Sequence, residues 1–417
     1  MPAPASSFHP KRAIVLSGGG ARGAYEAGVL RFIVEELPRR RGVVPNFDIV
    51  GGTSVGAIHA CFLAATADGG EERGPQLTAI WEDLHVEEVF DFRGRHVFQI
   101  PRRLWGLRRV AAQLRAGQRP DRLYGLLDTK PLEDLVLRSI PWPGIRRNLK
   151  AGRLEAVCVT ATQIATGRAV VFTERATREL PPWANQHSIR MQAIRLMPIH
   201  ALASAAIPIL FPAVRVGARY YADGGLRLNT PLAPVVRLGA NRILVIGLSH
   251  IQEAEISETL AQERTMGFGN PMFLMGKVLN ALLLSPIETD LSRLELVNSI
   301  LEYGREACGE EFAERINAAA AARGARPVQR IDALAIRPSY DLGMLAGELL
   351  QGRHGPFELA PFLRLFFRAF RASADPREAD LLSYLLFDWR YARLLTDLGY
   401  RDAEAREDEL AAFFSDE

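Results

Sequence analysis

Apolar and polar positions follow two rhythms in the first half of the chain. Residues 12–17 (RAIVLS) form a short apolar run, and residues 24–37 (AYEAGVLRFIVEEL) carry apolar side chains at helical spacing. The first pattern predicts a buried strand and the second a helix. Residues 47–54 (FDIVGGTS) repeat the strand pattern and run into a turn, followed by an apolar helix over residues 55–66 (VGAIHACFLAAT). LEAVCVTATQI and RAVVFTE predict two further strands, joined by a turn at Ala165, Thr166 and Gly167; RYYADGG ends another, and RILVIGLSH is one more. Strands alternating with helices predict an α/β fold with a mainly parallel sheet.

Two stretches leave that rhythm. From Trp81 to about Arg122 the chain inserts a helical, arginine-rich stretch. Beyond about Ser249 the pattern is mostly helical, in PMFLMGKVLNALLL, ETDLSRLELVNSILEYG and ADLLSYLLFDWRYARLLTDLG. The last of these is expected to stop at Gly399, a residue type suited to the position just past a helix end. RIDALAIRPS (residues 330–339) is a strand candidate between them. The second half is therefore expected to complete or cover the first rather than to stand as an independent domain.

Composition narrows the class. With 417 residues, 48% hydrophobic and 24% charged, the chain can bury a large core, which argues against wholesale disorder. A net charge of +3 gives no reason to expect nucleic acid. Cys61, Cys158 and Cys308 have no metal-ligand spacing and are too few for a disulfide framework, so they read as buried small apolar residues. The N-terminal MPAPASSFHPKR lacks the apolar region of a secretion signal, and no uncharged apolar run is long enough to span a bilayer. The expectation is a cytoplasmic protein, held at most peripherally on a membrane surface.

Three motifs carry chemistry. Gly52-Thr53-Ser54-Val55-Gly56 fits G-x-S-x-G between a strand and a helix, the context of a nucleophile elbow. Such a turn projects the serine hydroxyl from the sheet edge, and the flanking glycines relieve crowding where strand and helix nearly touch. The helix that follows aims its N-terminal N–H groups and positive dipole end at Ser54. The same residues also suit a turn whose serine only caps the helix.

The second motif is SGGGARG, residues 17–23. Read literally, Gly18-x-Gly20-x-x-Gly23 matches a dinucleotide-binding turn. That unit wants an acid about 20 residues on, at the end of the second strand. Here Glu35 and Glu36 fall inside the first helix, and Asp48 leads into the strand rather than ending it. Beside an elbow, Gly18, Gly19, Gly20, Ala21, Arg22 and Gly23 read better as a backbone nest for a developing oxyanion, with Arg22 adding positive charge. In the third motif, YYADGGLRLNTPL, Asp223 ends a strand ahead of Gly224 and Gly225, where it can serve as a base or simply close a turn.

In their order and strand context these motifs resemble those of the patatin-like phospholipases, and residues 203–214 (ASAAIPILFPAV) look like that family's approach to its aspartate strand. The resemblance is strong over residues 13–236. It implies a three-layer fold with a mainly parallel central sheet, the catalytic domain spanning residues 13–236. Residues 237–417 would add the last strand or strands and a mostly helical extension, similar to bacterial members. It implies Ser54 as the nucleophile and Asp223 as the proton acceptor of a Ser-Asp dyad, with the loop from Gly18 to Gly23 as oxyanion hole and no metal or cofactor. The implied function is hydrolysis of phospholipid or lysophospholipid acyl esters through an acyl-serine. Alternatives are an acyltransferase using the same acyl-enzyme, and a non-catalytic membrane-associated regulatory protein of the same fold.

Two histidines bear on that mechanism. His250 follows Asp223 just past a strand, which allows a Ser54–Asp223–His250 triad; the family resemblance implies no histidine. His59, on the apolar helix, reads as a core residue. Between Arg93 and Arg122 stand nine arginines against one acid, Asp121, interleaved with apolar residues such as Phe98, Leu104 and Trp105. The stretch either lies on an anionic membrane or forms a solvated helix face. Residues 272–285 are a second membrane candidate, with burial on the sheet as the competing expectation. Oligomeric state leaves no mark in the sequence.

Overall fold

The computed structural model describes residues 10–90, 120–123, 125, 127–185, 188–208, 210–250, 281, 287–352 and 380–415. Nine strands build one sheet among them. They are β1 (Arg12–Leu16), β2 (Ile49–Thr53), β3 (Ala156–Gln163), β4 (Arg168–Arg175), β5 (Ile189–Ala193), β6 (Val214–Val216), β7 (Arg219–Asp223), β8 (Arg242–Ile246) and β9 (Asp332–Ile336). The main path is β5-β4-β3-β2-β1-β8-β9, and the β6–β7 hairpin joins through β3. Pairing is parallel from β3 through β2, β1 and β8 to β9, and antiparallel between β3 and β4 across the expected turn.

Side-chain alternation along the strands explains the layers. In β1, Ile14 and Leu16 enter one apolar core while Ala13 and Val15 enter another; β8 divides likewise, with Leu244 and Ile246 opposite Ile243 and Val245. Strands buried on both faces need a helical layer on each. Helices Gly23–Arg31, Val55–Ala65 and Trp389–Glu404 cover one face. Helix Leu232–Arg237 and the start of helix Ile287–Cys308 cover the other. The second half thus supplies β9 to the sheet and a helix to the layer that holds the site.

Several expectations are corrected. The helix expected to stop at Gly399 runs through it to Glu404. A Cβ on Gly399 would lie 2.1 Å from Tyr25 O, so the glycine lets two helices touch instead of ending one. Cys61 and Cys158 are buried, but Cys308 is exposed, at the end of a helix most of whose length faces solvent. Strands β5 and β6 were not anticipated; both are short. Arg93 to Arg119 lie outside the described residues, as do residues 272–285 apart from 281. Arg122 is described, and its guanidinium donates to Thr129 Oγ1 and Glu133 Oε2, each at 2.6 Å. No helix among the described residues is long and apolar enough to cross a membrane.

Candidate active site

The register on β3 creates the site. Thr53, the last residue of β2, pairs with Thr160, and Asp223, the last residue of β7, pairs with the next residue, Ala161. Because β2 runs parallel and β7 antiparallel to β3, the two strands end head to head. Ser54 follows β2 directly, and its Oγ donates to Asp223 Oδ2 at 2.6 Å. No side-chain bond from Ser54 caps the helix Val55–Ala65, so the capping role considered for it does not apply.

The elbow is strained and braced. Ser54 has φ 55° and ψ −124°, a positive φ that L-residues seldom adopt. Its N–H donates to Ser204 Oγ at 2.8 Å, and Ser204 in turn donates to Thr160 O at 2.5 Å. Thr53 Oγ1 donates to Leu228 O at 2.8 Å. A Cβ on Gly52 would sit 2.1 Å from Gly56 O, and one on Gly56 would sit 2.4 Å from Leu16 O. The two glycines of the motif are there because strand and helix backbones meet at these points.

Asp223 is fully buried and both its oxygens are engaged. Oδ1 accepts the Gly225 N–H at 2.7 Å, and Oδ2 accepts from Ser54. Burial raises its pKa from 3.8 to about 6, with the Ser54 and Gly225 hydrogen bonds opposing part of that rise. The result is a carboxylate that stays ionised at neutral pH yet is more basic than one in water.

The glycine loop lies against Ser54, where a Cβ on Gly18 would meet Ser54 Cβ at 3.0 Å. Gly18 itself is occupied: its N–H donates to Asn229 O at 3.2 Å, and Asn229 Nδ2 donates to Gly18 O at 3.1 Å. Among the described residues, the N–H groups of Gly19 and Gly20 make no such bond. Arg22 was expected to lend its charge to this nest. Its guanidinium instead turns to the C-terminal segment, with Nη2 3.2 Å from Asp380 Oδ1 and Nε donating to Ser383 Oγ at 2.8 Å.

Beside Ser54 opens a pocket with about 730 Å³ of empty space, part of it open to solvent. Apolar side chains dominate its lining, among them Val55, Phe62, Trp81, Leu135, Phe211 and Phe387. That size and character suit an apolar chain led to a reactive oxygen. His59 also borders it, buried and pushed down to about 3 by desolvation. Trp81 Nε1 donates to His59 Nε2 at 3.0 Å, which leaves Nδ1 as the protonated nitrogen facing Glu26 Oε2 at 2.8 Å. Both ring nitrogens are thus committed, as a core histidine's should be. His250 Nδ1 lies 2.9 Å from Pro338 O and not at Asp223, whose two oxygens have other partners.

Sequence reasoning missed Ser204, Asn229, Trp81 and Phe387. The first two fall inside stretches that were noticed for their neighbours, and nothing in local spacing marks a serine that braces another serine's backbone. Among the described residues no cluster of His, Cys, Asp and Glu could hold a metal ion.

A family model for the patatin-like phospholipases matches residues 14–236, more than half of the chain. The chain belongs to the patatin-like phospholipase family. It is similar to a cGAMP-activated phospholipase of Pseudomonas aeruginosa, 32% identical over 52% of this chain and 53% of that protein. A cGAMP-activated phospholipase of Vibrio cholerae is 27% identical over 66% of this chain and 72% of its own length. The match to the first of these patatin-like relatives thus spans about half its length. The crystal structure of VipD from Legionella pneumophila aligns with 93% of this chain and 67% of that chain, at 15% identity and a TM-score of 0.34.

Proposed function

We propose that this patatin-like protein is a serine acyl hydrolase that cleaves an acyl ester of phospholipid or lysophospholipid. The observation that carries the reading is the 2.6 Å bond from Ser54 Oγ to a buried Asp223 beside an apolar pocket. Ser54 Oγ attacks the ester carbonyl carbon while its proton passes to Asp223 Oδ2. The carbonyl oxygen gains negative charge facing the Gly19 and Gly20 N–H groups and the start of helix Val55–Ala65, which stabilise it. When the intermediate collapses, the C–O bond to the alcohol breaks and Asp223 returns the proton to that alcohol. Water then attacks the acyl-Ser54 carbonyl, giving its proton to Asp223, and fatty acid leaves as Ser54 is reprotonated.

The test is labelling by an alkyl fluorophosphonate with mass mapping of the adduct, alongside release of fatty acid from mixed phospholipid and lysophospholipid. The adduct is expected on Ser54, absent in Ser54→Ala, with turnover in Asp223→Asn slowed by about 10²–10⁴-fold. A folded protein that takes no label and releases no fatty acid would overturn the reading. For lipid supply we propose peripheral contact between the arginine-rich stretch, Arg93 to Arg122, and an anionic membrane. Neutralising Arg102, Arg103, Arg108 and Arg109 should then weaken co-sedimentation with anionic vesicles; equal binding in low salt would remove the idea.

A further inference from the structure

The segment that begins at Asp380 lies on the glycine loop although 358 residues separate Asp380 from Arg22. The Arg22–Asp380 ion pair is almost out of solvent, with side chains 4% and 13% exposed. The Arg22 guanidinium carbon also sits 4.2 Å from the centre of the Tyr384 ring. Ser383 Oγ, which accepts from Arg22 Nε, donates to Asp380 O at 2.6 Å. A planar guanidinium gripped at two edges and one face has a single orientation.

The same segment reaches the loop and the pocket directly. A Cβ on Gly20 would lie 2.4 Å from Tyr384 O, and Gly20 has φ 57°, so the loop fits under Tyr384 only as glycine. Phe387 lines the pocket and stacks on Trp81, with ring centroids 6.3 Å apart and planes 11° apart. Asp380 Oδ1 packs 2.7 Å from where a Cβ on Gly343 would be, at the start of helix Leu342–Leu350, whose Gly343 and Met344 N–H groups donate to Asp341 Oδ1. Asp380 thus packs against the start of helix Leu342–Leu350, and the same Oδ1 holds Arg22. Arg22 stands two residues after Gly20 and immediately before helix Gly23–Arg31, so fixing Arg22 fixes the direction in which the Gly19 and Gly20 N–H groups point.

We propose that the Arg22–Asp380 ion pair positions the oxyanion loop, which makes the C-terminal segment Asp380–Leu385 a working part of the site. Arg22 and Asp380 are positioning residues; neither touches the reacting atoms. The geometry stands alone, and only its consequence for turnover rests on the hydrolase reading.

The experiment combines amide hydrogen exchange across residues 17–23 with kcat and KM for a short-chain p-nitrophenyl ester, in wild type, Asp380→Asn, Asp380→Glu and Ser383→Ala. In Asp380→Asn, loop exchange should rise and kcat should fall about tenfold or more while KM holds, since displaced donors cost rate rather than ground-state binding. Asp380→Glu should recover part of both, and Ser383→Ala should move both less, in the same direction. A folded Asp380→Asn with wild-type loop exchange overturns the proposal, as does faster exchange with unchanged kcat. If Asp380→Asn does not fold, Ser383→Ala with both readouts unchanged overturns it. Should wild type take no fluorophosphonate label and release no fatty acid, the hydrolase reading fails separately, and faster loop exchange in Asp380→Asn still supports the positioning role.

Discussion

Ser204 Oγ accepts from the backbone N–H of Ser54 at 2.8 Å and its own O–H donates to Thr160 O at 2.5 Å. One hydroxyl thus ties the strained residue of the elbow to the strand beside it. Ser204→Ala removes both bonds and leaves a buried N–H without a partner, at a cost of about 1–3 kcal/mol. Thermal unfolding should show that loss, and kcat should fall while KM stays close to wild type. An unchanged melting temperature would mean that the elbow holds its positive φ without this brace.

Asp223 predicts the pH dependence of activity. Under the proposed mechanism Asp223, its pKa raised to about 6 by burial, is protonated and inactive below that point and ionised above it. The rate kcat/KM should therefore climb tenfold per pH unit below about 6 and level off above it. A profile that stays flat down to about pH 4 would contradict the rise of the Asp223 pKa above the ordinary 3.8.

The same titration predicts a stability change of defined sign. The folded pKa of about 6 exceeds the ordinary 3.8, so the folded state holds the proton more tightly. Its contribution is complete below about pH 3.8 and is lost as pH rises through about 6. At about 1.4 kcal/mol per unit, ionised Asp223 costs the fold about 3 kcal/mol at neutral pH. Asp223→Asn carries no such titration. Its melting temperature relative to wild type should rise between about pH 4 and 7 and then stay level; a pH-independent difference would contradict the burial account.

His250 offers a contrast. Its Nδ1 lies 2.9 Å from Pro338 O, while the Asp223 oxygens are met by Ser54 and Gly225. His250→Ala should fold and turn over within about twofold of wild type. Loss as complete as in Ser54→Ala would restore the three-residue arrangement.

Much of the site could be read along the chain because its demands are local. The elbow needs glycines two residues either side of Ser54, since any Cβ at Gly52 or Gly56 would strike backbone. The glycine loop after β1 and the Asp-Gly-Gly after β7 are equally local: each sits at a strand end, and strand ends show in the apolar pattern. The parallel sheet was legible for the same reason. What pattern could not show was partnership. Arg22 looked like a charge for the oxyanion until its partner proved to be Asp380, and Gly399 looked like a helix end until Tyr25 proved to be packed against it.

The sequence by itself determined the backbone shapes this protein can take near Ser54, through the steric limits that glycine alone escapes, and the α/β layering, through strand and helix periodicity. Only the tertiary structure decided that β2 and β7 end against adjacent residues of β3, that Asp223 is buried enough for its pKa to rise, and that a C-terminal segment grips the glycine loop. Strand register, desolvation and ion pairing depend on groups far apart in the chain. Their energies exist only once the whole fold has brought those groups together.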